Sequence, residues 1–359
     1  MDLTLTDRGT PPVPGTLDEA YDPEWMSAAL GTRFPGIEVT SVTPGPVISR
    51  VATNARFRIE CAGGVPEGLS PDLCIKGYFT EYGKPYRHAG VPEASFYRDV
   101  LDLTDMRTLR CVYADLDPET AGSAVITEDV VVHGAEFLDG CHDYTPDQCA
   151  QSLEELAALH AGTWMSPKVA DIESLTSRME LYTASRGRTE IESNFTSDIG
   201  AGVPDEVRDT DLLYDTYSEL TRQVPGEEPW CVIHGDSHVG NVFLNADGRP
   251  SFVDWQLVQR GPWYIDVGYH MSSAITVEDR RANERDLVRH YLEHLAAGGV
   301  QDVPSEDEAW RLVPRGMVHG FYLWAITVRV APEITSALNT RLGTAVADHD
   351  GFGAVRRGA

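Results

Sequence analysis

The stretch that most constrains this chain is residues 230–271, WCVIHGDSHVGNVFLNADGRPSFVDWQLVQRGPWYIDVGYHM. An apolar run, Cys231–Ile233, reads as a strand that delivers His234-Gly235-Asp236. Five residues after Asp236 comes Asn241, and a second apolar run, residues 251–253, ends at Asp254. Between them lies Asn245-Ala246-Asp247-Gly248, and Asp-Gly supplies the positive φ angles of a tight turn, so a hairpin is expected. Such a hairpin carries Asp236, Asn241 and Asp254 toward one end of the ribbon.

That trio matches what phosphoryl transfer from ATP requires. An acceptor hydroxyl needs a carboxylate to orient it and take its proton, and the triphosphate needs Mg²⁺ held by hard oxygen ligands. One carboxylate and one amide oxygen are enough, because Mg²⁺ keeps several of its waters. The Asp-x-x-x-x-Asn spacing, with an aspartate on the next strand, is that of a protein-kinase catalytic loop. Asp236 is therefore the candidate base, with Asn241 and Asp254 the candidate metal ligands. A lone Asp-x-x-x-x-Asn reads more naturally as turn chemistry; the longer string is far more specific.

His234-Gly235-Asp236, Asn241, the strand ending in Asp254-Trp255, and then Asp266 together resemble the signature of the aminoglycoside phosphotransferase and choline kinase superfamily. YTPDQCAQSLEELAALHAGTW at residues 144–164, SFYRDV at 95–100 and ITEDV at 126–130 are most similar to its choline-kinase and ecdysteroid-kinase-like branch. The resemblance implies a protein-kinase-like fold, ATP with Mg²⁺ as cofactors, and a small-molecule acceptor bearing a hydroxyl. It gives Asp266 a bracing role for the catalytic loop, with His234 also in support. It also places Glu128, Asp129 and Val131 at an interlobe hinge whose backbone groups meet adenine.

Earlier in the chain, Asp22-Pro23 suits a helix start within residues 17–30. Strand-like segments follow at 37–43, 45–54 and 55–60, the last in strict alternation. The small and polar residues around 45–54 suit a nucleotide lid, with Ser49 and Asn54 the candidate phosphate contacts. Residues 72–76 read as a strand ending in Lys76, and residues 92–103 as a helix with Glu93 in its first turn. Kinases pair a strand lysine with a helix glutamate to position phosphates, so Lys76 and Glu93 are the expected ion pair. A helix beginning at Thr145-Pro146 carries His160 on its apolar face, where a hydrogen-bonded core histidine is the reading.

The fold class expected is α+β and bilobal: an antiparallel sheet plus helix over residues 1–131, with the hinge at 126–131, then a larger helical lobe over 132–359. Helices are expected at 278–297, 306–330 and 332–347. His290, Glu293 and His294 imitate a metal-binding helix face but lack a third ligand and the zincin order, so they read as a solvated face. His238 either touches substrate or packs, and Phe321, Tyr322 and Trp324 read as core.

Bulk properties narrow the partners. The formal charge of −27 opposes nucleic acid and anionic membrane. Residues 171–230 hold 14 Asp and Glu against 5 Arg, which suits a cationic acceptor. No apolar run is long enough to span a bilayer, no secretory signal is visible, and the six cysteines show no Cys-x-x-Cys pair, so a cytoplasmic protein with reduced thiols is expected. An aminoglycoside O-phosphotransferase is the alternative reading, and a nucleotide-binding pseudokinase a third.

Overall fold

The computed structural model describes residues 9–358; the Pro- and Thr-rich composition of residues 1–15 suggests a frayed start, and the first eight of these lie outside the described residues. The class is α+β, as expected, and the chain divides into two compact units. One runs to Asp102, resumes over Thr108–Ala135 and takes in Asp254–Leu257; the other comprises Leu103–Arg107, Glu136–Val253 and the chain from Val258.

The first unit is built on an antiparallel sheet of five strands: β1 Val39–Ser49, β2 Thr53–Cys61, β3 Asp72–Gly77, β4 Cys111–Asp117 and β5 Gly122–Glu128. Their order is β1-β2-β3-β5-β4. Along β2 the alternation legible in the sequence turns Thr53, Ala55, Phe57 and Ile59 inward and leaves Asn54 exposed. Helix α1, Pro23–Gly31, covers that inner face with Trp25, Met26, Ala29 and Leu30. The Asp22 carboxylate accepts from the N–H groups of Glu24 and Trp25, and Pro23 sits where a missing N–H costs nothing. The helix expected over 17–30 is therefore two, because this cap begins a new one after Leu17–Ala20.

Two further expectations change. The three strand segments before residue 60 are one hairpin, β1 and β2, turning over residues 50–52. The helix expected over 92–103 winds as α from Val91–Ser95 (α2), widens to π over Phe96–Val100 and tightens to 3₁₀ over Leu101–Leu103.

In the second unit, strand β6, Glu136–Phe137, pairs with the expected hairpin of β8, Val242–Leu244, and β9, Pro250–Phe252. Gly248 holds φ +78° in its turn. Strand β7, Cys231–Ile233, pairs instead with β10, Gln259–Gly261. The surrounding helices are α3 Pro146–Thr163, α4 Thr210–Gln223, α5 Tyr264–Ala274, α6 Val277–Ala297, α7 Glu306–Ala325 and α8 Pro332–Asp348. Helix α7 ends five residues sooner than the pattern suggests. No described helix is long and apolar enough to cross a membrane, and the six cysteines are free.

Candidate active site

In the first unit the strand lysine and the helix glutamate meet. Lys76 Nζ lies 2.7 Å from Glu93 Oε2 and donates to Asp254 Oδ1 at 2.8 Å. Burial opposes the ammonium's charge, but the Asp254 and Glu93 carboxylates outweigh it and hold the Lys76 pKa well above its ordinary value. Burial pushes the Glu93 carboxyl up, against the pull of Lys76. Two acids thus share one ammonium. Asp254 adopts φ +67°, a left-handed conformation uncommon for any residue but glycine, Asn and Asp. Next to it Trp255 is fully buried, stacks on Phe96 at 3.7 Å and donates Nε1–H to Thr108, so the backbone that presents Asp254 is anchored in the core.

The other first-unit candidates are placed more unevenly. Asn54 is the cross-strand partner of Lys76, so both sit on one face of the sheet. Ser49 opposes Thr53, with the hydroxyls 3.3 Å apart, and so lies on the other face of the hairpin from Asn54. At the expected hinge, Glu128 accepts from Ser70 N–H and Arg110, while buried Asp129 pairs with Arg56 at 2.6 Å. The Asp129 carboxylate also takes the N–H of Val131, and the Asp129 N–H goes to the Asp72 carbonyl. Those two amide protons are thereby committed within the chain.

In the second unit the His-Gly-Asp loop is fixed from beneath by Asp266. This carboxylate is fully buried on α5 and accepts from His234 N–H at 2.6 Å, from Gly235 N–H at 2.9 Å and from His160 Nε2 at 3.2 Å. Burial raises its pKa, yet the hydrogen bonds and charge of His160 and the Gly235 N–H bring it below the usual carboxylate value. His160 is itself set by the Tyr291 hydroxyl at 2.8 Å, the bonded core histidine its helix face suggests. Gly235 holds φ +76°, which lets the loop turn back over Asp266. The His234 ring closes the turn, accepting Asp236 N–H at Nδ1 and donating Nε2–H to the Val253 carbonyl at 2.9 Å.

Asp236 therefore emerges from a rigid loop. Tyr269 donates its hydroxyl proton to Asp236 Oδ1 at 3.1 Å, and burial plus the Asp236 charge keep that phenol protonated. His238 Nε2 lies 3.8 Å from the same oxygen. Asn241 gives its amide nitrogen to the Asp236 carbonyl at 2.8 Å, which leaves the amide oxygen, the hard donor, as its ligand-capable atom. The Asn241 amide oxygen and the Asp254 carboxylate are each hard oxygen donors of the kind Mg²⁺ takes.

Sequence reasoning missed three supports. His319 on α7 donates to the Gly235 carbonyl at 2.9 Å, and Tyr217 on α4 sets its tautomer at 3.1 Å. Tyr269 stands inside the motif stretch, but nothing local marks it as a donor to Asp236. Phe321, Tyr322 and Trp324 are buried as expected, and Trp324 meets the His238 ring edge-on at 5.0 Å.

Several known proteins are similar to this chain. An uncharacterized kinase-like protein of Caenorhabditis elegans is 26% identical over 216 residues, 55% of this chain and 54% of the relative, so the match spans about half the relative's length. Among solved structures, choline kinase LicA from Streptococcus pneumoniae is 12% identical with a TM-score of 0.46, covering 90% of this chain and 98% of that one. Plasmodium vivax ethanolamine kinase is 13% identical with a TM-score of 0.46, over 85% and 82% of the two chains. The GDP complex of aminoglycoside 2'-phosphotransferase-IIIa is 12% identical with a TM-score of 0.45, over 94% and 98%. The model of the ecdysteroid kinase-like family matches residues 86–301, well over half the sequence, and the chain belongs to that family.

Proposed function

We propose that the protein is a kinase that transfers the γ-phosphoryl group of ATP to a hydroxyl of a small molecule. The observation that carries the reading is the Lys76 ammonium, partly buried and held between the Glu93 and Asp254 carboxylates. A stability role explains it poorly, because its partner Glu93 is a buried carboxylate, and an ion pair with a buried member often stabilises no more than apolar residues of similar volume would.

In this reading residues 1–131 form the nucleotide-binding lobe and 132–359 the catalytic and acceptor-binding lobe. Lys76 positions the phosphates, and Glu93 keeps the ammonium in place. Asn241 and Asp254 would hold Mg²⁺, which when bound supplies the positive charge that the phosphates need. Asp236 orients the acceptor hydroxyl and takes its proton as the oxygen attacks the γ-phosphorus and the bond to the bridging oxygen breaks. Tyr269 keeps the Asp236 carboxylate in one orientation, so the loop need not reorganise during the reaction.

A polycationic aminoglycoside acceptor is the second reading. Glu192, Asp198, Asp209 and Asp211 line a cavity of about 660 Å³, but Asp211 is already paired with Arg188. The test measures ATP consumption over a panel of choline-type amines, sterols, sugars and aminoglycosides. One class is expected to turn over, and Asp236→Asn should slow it by about 10² to 10⁴ while nucleotide affinity is kept. A variant with more than half of wild-type turnover sinks the base assignment. ATP binding without consumption across the panel supports a pseudokinase instead.

A further inference from the structure

Helices α3 and α6 bring together three side chains that the proposed reaction does not use. His290 and His294 lie four residues apart on one face of α6. The third ligand that the α6 sequence lacked is Glu154, which projects from α3. His290 Nε2 lies 3.1 Å from Glu154 Oε1 and His294 Nε2 3.9 Å from the same oxygen. The three ligand atoms all fall within 4.8 Å of one another. Bonds of about 2.0–2.1 Å at tetrahedral angles put two ligand atoms roughly 3.3 Å apart, so the two measured separations bracket that spacing. All three side chains are partly exposed, at 28%, 30% and 40%, which leaves an entry path.

The tautomers sharpen the case. His294 Nδ1 lies 2.9 Å from the His290 backbone carbonyl, and a carbonyl only accepts, so Nδ1 carries the hydrogen. In the neutral ring Nε2 is then the ligand-capable atom, and it faces a carboxylate oxygen. A divalent cation between those two atoms would be bound by both of them. A backbone carbonyl that fixes the distal ring nitrogen is also the usual support for a metal-bound histidine. Among the described residues the arginine paired with Glu154 is Arg249, 3.8 Å from the other oxygen, Oε2, which leaves Oε1 to the histidines.

We propose that Glu154, His290 and His294 bind a single divalent transition-metal ion of the zinc class, which staples α3 to α6. Two imidazoles with one carboxylate suit zinc, copper or nickel and not magnesium or calcium. The staple has a consequence for the catalytic loop. His160 lies on α3 and Tyr291 follows His290 on α6, and their hydrogen bond sets the ring that holds Asp266.

The test uses tag-free full-length protein, stripped with a chelator and titrated calorimetrically with zinc chloride in excess magnesium. One zinc per chain is expected, and Glu154→Gln, His290→Gln and His294→Gln should each weaken it at least about 10-fold. Glu293→Gln, next to the cluster in sequence, should keep wild-type affinity. Cobalt(II) substitution should give visible d–d bands that His294→Gln loses while its circular dichroism stays native. Because His294 makes no hydrogen bond to Glu154, a purely structural ion pair would be indifferent to that variant. Unchanged affinity in His294→Gln overturns the proposal, as does zinc binding no tighter than about 1 mM.

Discussion

His270 shows how little room the packing around the His-Gly-Asp loop leaves for a proton. It is fully buried on α5 and donates Nδ1–H to the Ser237 carbonyl at 2.7 Å, while its Nε2 finds no hydrogen-bond partner among the described residues. The rings of Phe252 and Tyr144 lie beside it. Burial pushes its pKa down from 6.5 to about 4, and His319 is pushed down for the same reason. With the folded pKa below the unfolded one, the unfolded chain binds the proton more readily between those values. Stability is therefore whole above pH 6.5 and falls as the pH drops toward about 4, by on the order of 3 kcal/mol for His270. Urea midpoints at pH 7.5 and 4.5 measure it. His270→Asn, whose amide replaces the Nδ1–H donor, should show a shallower fall, and an identical fall refutes the assignment. Residues such as Asp236, Asn241, Asp254 and Asp266 were legible because one short stretch carries them at fixed spacing. His319 was not, since it reaches Gly235 from 84 residues away, and no periodicity within α7 encodes that.

At the scale of elements, the loop depends on how closely α5 and α7 approach. A Cβ on Gly316 would lie 2.1 Å from the Tyr264 carbonyl oxygen, and one on Gly268 would lie 2.3 Å from the Val313 carbonyl oxygen. These are backbone atoms, so only a shift of one helix can relieve the clash. Tyr269 and His319, which hold Asp236 and the Gly235 carbonyl, ride on those helices. Gly316→Ala should cost about 1–3 kcal/mol as overpacking and lower kcat more than nucleotide affinity. Wild-type kcat and denaturation midpoint together would refute the close-packing argument. Helix positions and the hairpin were legible from apolar periodicity and turn chemistry. The π turn over Phe96–Val100 and the 3₁₀ turn after it were not, because such windings are chosen by packing, here Phe96 against Trp255. Glu154 escaped notice for the same reason: two helices distant in sequence had to be laid together before His290 and His294 acquired a third partner.

Over the whole molecule, the charge of −27 acts on both proposed substrates with opposite signs. MgATP is a net anion, and the group proposed to meet its phosphates, Lys76, is already shared by two carboxylates. The first unit's trio therefore carries a net negative charge, and long-range repulsion opposes the nucleotide. A cationic acceptor is attracted by the same field, with on-rates raised by roughly 10 to 10³ where the charge lines a cleft. Salt shortens the reach of both effects, the Debye length being about 10 Å at 0.1 M. Raising sodium chloride from about 50 to 300 mM should thus tighten MgATP binding by roughly two- to threefold. For a cationic acceptor KM should rise several-fold over the same range with kcat unmoved, whereas a neutral acceptor should show a flat KM. Titrations of each ligand at fixed saturation of the other read these signs separately. Weaker MgATP binding at high salt would mean that local cations, not the net charge, govern the nucleotide, and the trio's accounting would be wrong. A flat acceptor KM with intact nucleotide behaviour would instead place the acceptor among neutral alcohols and remove the polycationic reading.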